Sequence, residues 1–325
     1  MEKLKTTLGI NFRLSRLGLG CEGVRDAEGV RTIHTALRGG INYLNTADFY
    51  GHGESEITIR EALKTVRRED VFISVKFGGL IAPDGRFYGI DVRPQIVKSY
   101  LSYTLKRLGT DYVDLYQPSR IDNNIPVEET IGAVADMISA GYVRSVGISE
   151  VDADTLRKAH AVHPISLVEM EYSILNRGIE ESLIPTAREL GIGIVAFGTL
   201  FHGVIGGSNP AGKVEILSKR MPPQIVEKLK KALPRLNMLK KIADEKGITL
   251  SQLAIAWVLA QGDDILSLVG SRTVDQLNST LETIDIKLTQ EDLQQIEQAI
   301  PKEYASNSAM LPVKLDKRGL FAFGG

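Results

Sequence analysis

Asn45-Thr46-Ala47-Asp48-Phe49-Tyr50-Gly51, read together with Ile73-Ser74-Val75-Lys76, decides the fold of this chain. Tyr43-Leu44 is a short apolar run that stops at Asn45, so the polar, glycine-containing segment after it reads as a strand end entering a loop. Val71 to Val75 is a second, β-branched strand that Lys76 closes just before Gly78-Gly79. A tyrosine past one strand end and a lysine at the next share one mouth only if the two strands are parallel neighbours. That pairing has a chemical use. A phenol with a pKa near 10 donates its proton poorly at neutral pH, and a nearby ammonium lowers that value by favouring the phenolate. The pair then suits a general acid acting on a carbonyl oxygen. Taken alone, the same residues also read as a surface tyrosine in a turn and a lysine capping a strand.

Outward from this centre the chain alternates strand and helix. Strands are expected at 17–20, 42–45, 71–76, 112–117, 144–149, 166–171, 193–197 and 266–269. Between them run helical stripes such as Val30, Ile33, His34 and Leu37, then Val97, Leu101, Leu105 and Leu108 after Pro94, and Val127, Ile131, Val134 and Ile138. Asp152 or Asp154 is of a type that caps the helix after the fifth strand. An open loop of about seventeen residues follows the third strand, and a long glycine-rich loop at 198–223 follows the seventh. Two helical patterns come next, 225–246 (interrupted by Pro234) and 250–260, then a helix from about Val274 and an amphipathic stretch at 288–300. A hairpin around Leu8–Phe12 opens the chain, and the tail 301–325 carries no assignable pattern. Eight β/α units predict a closed (β/α)8 TIM barrel of parallel strands with the site at their carboxyl ends. It is expected as a single domain over 1–325, with the barrel at about 15–285 and a C-terminal helix and tail at about 286–325.

Composition narrows the function. The 325 residues are 43% hydrophobic and 24% charged, with a formal net charge of −1 and charges of both signs interleaved. Nothing in that balance attracts nucleic acid or an anionic membrane surface. One cysteine, Cys21, leaves no disulfide framework and fits a reducing compartment. With no apolar leader at Met1-Glu2-Lys3-Leu4-Lys5 and no run of membrane-spanning length, the expectation is a cytoplasmic protein. Five scattered histidines without metal-ligand spacing point to no metal site. Oligomeric state is not legible.

Gly18-Leu19-Gly20-Cys21-Glu22-Gly23 is a literal G-x-G-x-x-G after a strand, the pattern of a Rossmann dinucleotide site. The last glycine of that fingerprint belongs inside the first helical turn, yet Val24-Arg25-Asp26 intervene here. The acidic residue expected at the second strand end is also missing, its place taken by Asn45. These glycines read instead as backbone lying close to a ligand.

From about Asn11 to Ile300 the sequence resembles the aldo-keto reductase superfamily. The segments that carry the resemblance are Ser15-Arg16-Leu17-Gly18-Leu19-Gly20, Thr46-Ala47-Asp48-Phe49-Tyr50-Gly51, Ser74-Val75-Lys76-Phe77-Gly78 and 107–116. Gly141-Tyr142-Val143-Arg144-Ser145-Val146-Gly147-Ile148-Ser149 and Val269-Gly270-Ser271-Arg272 add to them. The resemblance implies a barrel that binds NADP(H) without a Rossmann domain. It also implies a catalytic Asp, Tyr, Lys and His. Tyr50 and Lys76 match two of the four; Asn45 stands in place of the Asp and Ser119 in place of the His. Without a carboxylate at 45, Lys76 is expected to be uncompensated, acting more strongly on Tyr50 or losing its own proton.

For the cofactor, the resemblance implies that Gly270, Ser271, Arg272 and Gln276 hold the 2′-phosphate end. A helix N-terminus and an arginine suit that role. Ser149 and Glu169 match positions at the nicotinamide carboxamide, with Glu169 where the family has Gln; Phe197 matches the residue on which the ring stacks. Gly198, Leu200 and Gly203 open the loop that covers the pyrophosphate, and Gly20 approaches the cofactor. Phe87, Tyr88 and Arg120 are expected to line a pocket for a small carbonyl or alcohol substrate. The expected activity is NADPH-dependent reduction of a ketone or aldehyde. The alternative is an NADP(H)-binding regulatory or redox-sensing protein, slow in turnover because of Asn45 and Ser119.

Overall fold

In the computed structural model, residues 13–207, 209–219, 223–271 and 273–305 are described. The barrel strands are β1 (Leu17–Gly20), β2 (Tyr43–Ala47) and β3 (Phe72–Phe77), followed by a small hairpin of β4 (Gly79–Ile81) and β5 (Phe87–Ile90). β6 (Val113–Pro118), β7 (Val143–Ser149), β8 (Ile165–Glu171), β9 (Gly193–Phe197) and β10 (Ile265–Gly270) complete them. Eight of the ten close into one barrel in the order β1-β10-β9-β8-β7-β6-β3-β2. Every neighbour pair is parallel, with β1 joining β10 on one side and β2 on the other. Helices between strands cover the outside, as parallel strands require.

The core divides by strand alternation. Tyr43, Phe72, Leu115, Leu167, Val195, Leu266 and Leu268, at strand positions that face the barrel interior, form one buried cluster with Leu14, which precedes β1. Tyr43 stacks on Phe72 there at 5.5 Å between ring centroids. The much larger cluster, including Leu19, Leu44, Ile73, Tyr116, Ile148 and Val168, lies on the opposite faces, between strands and helices. Two positions beyond the interior cluster on the same faces stand Asn45, Ser74, Gln117 and Glu169, all buried. The barrel is thus plugged with hydrocarbon below and becomes polar towards its carboxyl-terminal mouth. Gly18 makes the packing possible, since a Cβ there would meet the Tyr43 ring at 2.7 Å.

Two expectations need correction. The loop after β3 is not open: β4 and β5 pair antiparallel within it. Pro234 does not interrupt its helix, which runs unbroken from Pro223 to Glu245. Its buried face of Leu229, Ala232, Leu236, Leu239 and Ala243 packs on the core and holds the turn together despite the missing N–H. The glycine-rich loop contains a helix of its own, Pro210–Ser218. Asp152 is the cap expected for the helix Ala153–Val162, accepting from the Thr155 N–H at 2.7 Å. The hairpin expected around 8–12 and the tail 306–325 lie outside the described residues. Among the described residues no helix is long and apolar enough to cross a membrane.

Candidate active site

Parallel strands bring all their carboxyl ends to one rim, and the residues singled out from sequence gather there. β2 and β3 are neighbours in register, Asn45 opposite Ser74 and Ala47 opposite Lys76. Lys76 is also opposite Gln117 of β6. Tyr50 follows the end of β2 and opens a tight turn in which Gly51 and His52 take left-handed backbone angles. The turn folds the phenol back over the rim, placing the Lys76 ammonium 5.2 Å from the Tyr50 ring centroid.

Lys76 is not uncompensated. Its Nζ donates to Asn45 Oδ1 at 2.6 Å and to Glu169 Oε1 at 2.7 Å. The other oxygen of Glu169 accepts from Asn45 Nδ2 and from Gln117 Nε2, each at 2.7 Å. Glu169 is 2% exposed and Lys76 6%, so this ion pair is buried. Burial alone pulls the ammonium towards neutrality, but the Glu169 carboxylate and the Tyr50 phenol more than offset it. Lys76 is therefore held above the ordinary lysine value and stays charged. Removing one partner of such a pair leaves a buried lone charge and costs roughly 3–5 kcal/mol. Glu169, expected at the nicotinamide carboxamide, has both oxygens engaged with barrel side chains. Gln117 and Ser74 were not anticipated in this network. Their signal was polarity at inward-facing positions level with Asn45, which is readable only once strand register is known.

Burial raises the Tyr50 phenol above its ordinary value, the Lys76 ammonium works against that rise, and Glu22 and Glu169 add to it. The phenol therefore carries its proton at neutral pH, as a donor must. Ser119, just beyond β6, is buried, and its hydroxyl has no partner among the described residues. Its neighbour Arg120 donates to the Ser119 carbonyl at 2.6 Å.

The rim opposite offers polar groups without protein partners among the described residues. The hydroxyls of Ser149, at the end of β7, and Ser271, after β10, are buried and unpaired. A Cβ on Gly270 would meet nothing within 4 Å among the described residues. Phe197, half-buried at the end of β9, is followed by Gly198 and Gly203, both with positive φ, and between them Leu200 anchors the turn through bonds from Gly203 and Ile205. Gln276 lies in the first turn of the helix Val274–Leu281, where its N–H donates to the Thr273 cap. Gly20 is hydrogen-bonded in register between Gly270 and Asn45. Arg272 lies outside the described residues. Buried hydroxyls with no partner among the described residues, an unobstructed glycine and a half-buried aromatic ring at neighbouring strand ends are a donor set that fits a dinucleotide.

Phe87 joins the mouth through Phe49, whose ring meets Phe87 edge-on at 5.9 Å and Tyr50 at 5.1 Å. Tyr88 points elsewhere. It lines a cavity of about 310 Å³ beside the hairpin, with Asp48, Phe49, His52, Leu80 and Tyr100, which neither Tyr50 nor Lys76 borders. Glu171, also not anticipated, stands at the end of β8 with His202 Nε2 at 3.6 Å. Burial lowers the His202 pKa, against the pull of Glu22, so the two form no ion pair at neutral pH. Trp257 is buried and Cys21 is buried, its thiol pushed up to about 12 by burial, which leaves it unreactive. Among the described residues no group of three or more His, Cys, Asp or Glu side chains is arranged to hold a metal ion.

Comparison with known proteins agrees with the fold. The model of the Aldo/keto reductase family matches residues 13–301. A protein of Glycine max described as "Probable aldo-keto reductase 1" is 37% identical over 304 residues, covering 89% of this chain and 86% of its own. An aldo-keto reductase of Bacillus halodurans, solved in its holo form, is 26% identical with a TM-score of 0.77, covering 96% of this chain and 99% of the other. A glycerol dehydrogenase from Gluconobacter oxydans shares the fold at a TM-score of 0.80 and 24% identity, over 92% of this chain and 94% of the other.

Proposed function

The chain belongs to the aldo/keto reductase family, a family of oxidoreductases that generally use NAD(P)H, and from that premise we propose that it reduces a ketone or aldehyde with NADPH, Tyr50 serving as proton donor. The observation that carries this reading is a protonated phenol held at the barrel mouth beside a charged, buried lysine.

Bound NADPH supplies the hydride that adds to the carbonyl carbon. Ser149, Ser271, Gly270 and Gln276 would hold the cofactor, Phe197 would stack on its nicotinamide ring, and the Gly198–Gly203 segment would cover its pyrophosphate; by resemblance of sequence Arg272 would take the 2′-phosphate. As charge develops on the carbonyl oxygen, Tyr50 Oη gives it a proton. The Lys76 ammonium stabilises the phenolate left behind, and solvent returns the proton. Ser119 donates its free hydroxyl to the same oxygen and so orients it. The substrate is a small carbonyl compound bordered by Phe87 and Arg120. Cytoplasmic residence is consistent with the single buried thiol.

The alternative, a regulatory or redox-sensing protein of slow turnover, rested on two replacements, Asn45 and Ser119. The Lys76–Glu169 pair supplies the charge missing at Asn45 and so answers the first of them. Tyr50→Phe tests the assignment: the rate of reduction should fall by roughly two to four orders of magnitude, the worth of general acid catalysis. NADPH affinity should hardly change, since the phenol faces the substrate oxygen. A Tyr50→Phe protein as active as the unmodified one would remove Tyr50 from the chemistry.

A further inference from the structure

The negative charge facing the catalytic lysine sits on a different strand from the one where the family pattern places it. Asn45 on β2 supplies only an amide, while Glu169 comes from β8, across the barrel. We propose that Glu169 is a positioning residue for the proton donor: it is the counter-ion of Lys76, and Asn45 is the bridge that orients both. The inference rests on the reductase reading above, because it concerns the same donor.

The hydrogen bonds define the division of labour. Glu169 Oε1 faces Lys76 Nζ, and Oε2 takes one N–H from Asn45 and one from Gln117. Asn45 turns its carbonyl to Lys76 and its amide N–H to Glu169, an orientation that no carboxylate at this position can reproduce beside Glu169. An aspartate at 45 would bring two carboxylates together at hydrogen-bond distance, which cannot both stay ionised. Amide at 45 and carboxylate at 169 are therefore complementary, and so are carboxylate at 45 and amide at 169. A pair of the same kind, two amides or two carboxylates, is not.

Other ionisable groups face this cluster without replacing Glu169. Tyr43 below it on β2 is raised by burial first and by Glu169 next, and so is neutral. Cys21 beyond β1 is a buried neutral thiol, and Glu22 reaches Tyr50 only from the exposed side. Glu169 is the carboxylate in contact with Lys76.

Glu169→Gln, Asn45→Asp and the double exchange test this together. Glu169→Gln frees the ammonium to favour the phenolate or to lose its own proton. Either effect moves the alkaline limb of the pH–rate profile for carbonyl reduction downward, by about one to three pH units. Asn45→Asp alone leaves Lys76 neutralised, so that limb stays in place. Asn45→Asp combined with Glu169→Gln returns the charge to β2 and restores the limb lost in the single variant. The inference is overturned if Glu169→Gln keeps the native profile, or if the double exchange is no better than Glu169→Gln alone. The thermal midpoint gives a second readout that needs no substrate: it should fall in Glu169→Gln and recover in the double exchange. If the protein reduces no carbonyl, that thermal pattern still decides the pairing, so a failure of the reductase reading is distinguishable from a failure of this one. If Glu169→Gln does not fold, recovery of a folded protein by the double exchange supports the pairing, and no recovery overturns it.

Discussion

Ionisation at the mouth is governed first by burial and then by neighbours, and Glu171 shows what that costs. Its carboxyl is pushed up to about 7 by burial and by the Glu150 carboxylate, while Asn176 and Arg120 oppose the rise. The folded state then holds this proton more tightly than the unfolded chain, whose value is 4.5. Stability from Glu171 is fully present below the unfolded value and is lost as pH rises through the folded one. Glu171→Gln keeps a neutral group in place and should be close to the native protein in stability at about pH 5, and more stable at about pH 8 by on the order of 2–3 kcal/mol. Chemical denaturation at the two pH values measures this. Asp48, pushed up to about 8 by burial and by Glu56, contributes with the same sign but cancels in the comparison. An equal difference between the two proteins at both pH values would mean that Glu171 is ionised in the fold throughout.

Among elements, the hairpin of β4 and β5 bears most directly on the tyrosine, through Phe49. A Cβ on Gly79 would collide with the Phe49 ring, whose edge meets Tyr50. Gly79→Ala should therefore cost roughly 1–3 kcal/mol by overpacking. It should also lower the rate of reduction by displacing Tyr50, with thermal unfolding and kinetics as the two readouts. Unchanged stability and rate would show that hairpin and tyrosine are not coupled. This element was illegible in sequence for a physical reason. Its strands are three and four residues long and half-exposed, so they carry neither the alternation of a one-sided sheet nor the continuous apolar run of a buried one. Barrel strands such as Gly193–Phe197 are covered on both faces and announce themselves as apolar runs. Pro234 misled for the converse reason, since local propensity is overridden where a helix face is packed.

At the scale of the whole molecule, closure of the barrel makes the site. Tyr50 and Lys76 were legible because they lie at the carboxyl ends of adjacent strands, Lys76 opposite Ala47 and Tyr50 in the turn just after it. Glu169 meets Lys76 only because β8 and β3 face each other across a closed interior, a contact between residues 93 positions apart that no local pattern reports. The replacement at Asn45 therefore looked like a loss of charge, whereas the folded chain supplies that charge from the far wall. On the same rim the buried Ser149 and Ser271 hydroxyls have no hydrogen-bond partner among the described residues. The most direct measurement is NADPH oxidation by the purified protein against aromatic aldehydes, cyclic ketones and keto-sugars, followed across pH. The expected result is turnover of at least one carbonyl class that persists through neutral pH and falls only in the alkaline range, because burial keeps the proton on Tyr50. Tight binding of NADPH with no oxidation by any of these carbonyls would contradict it.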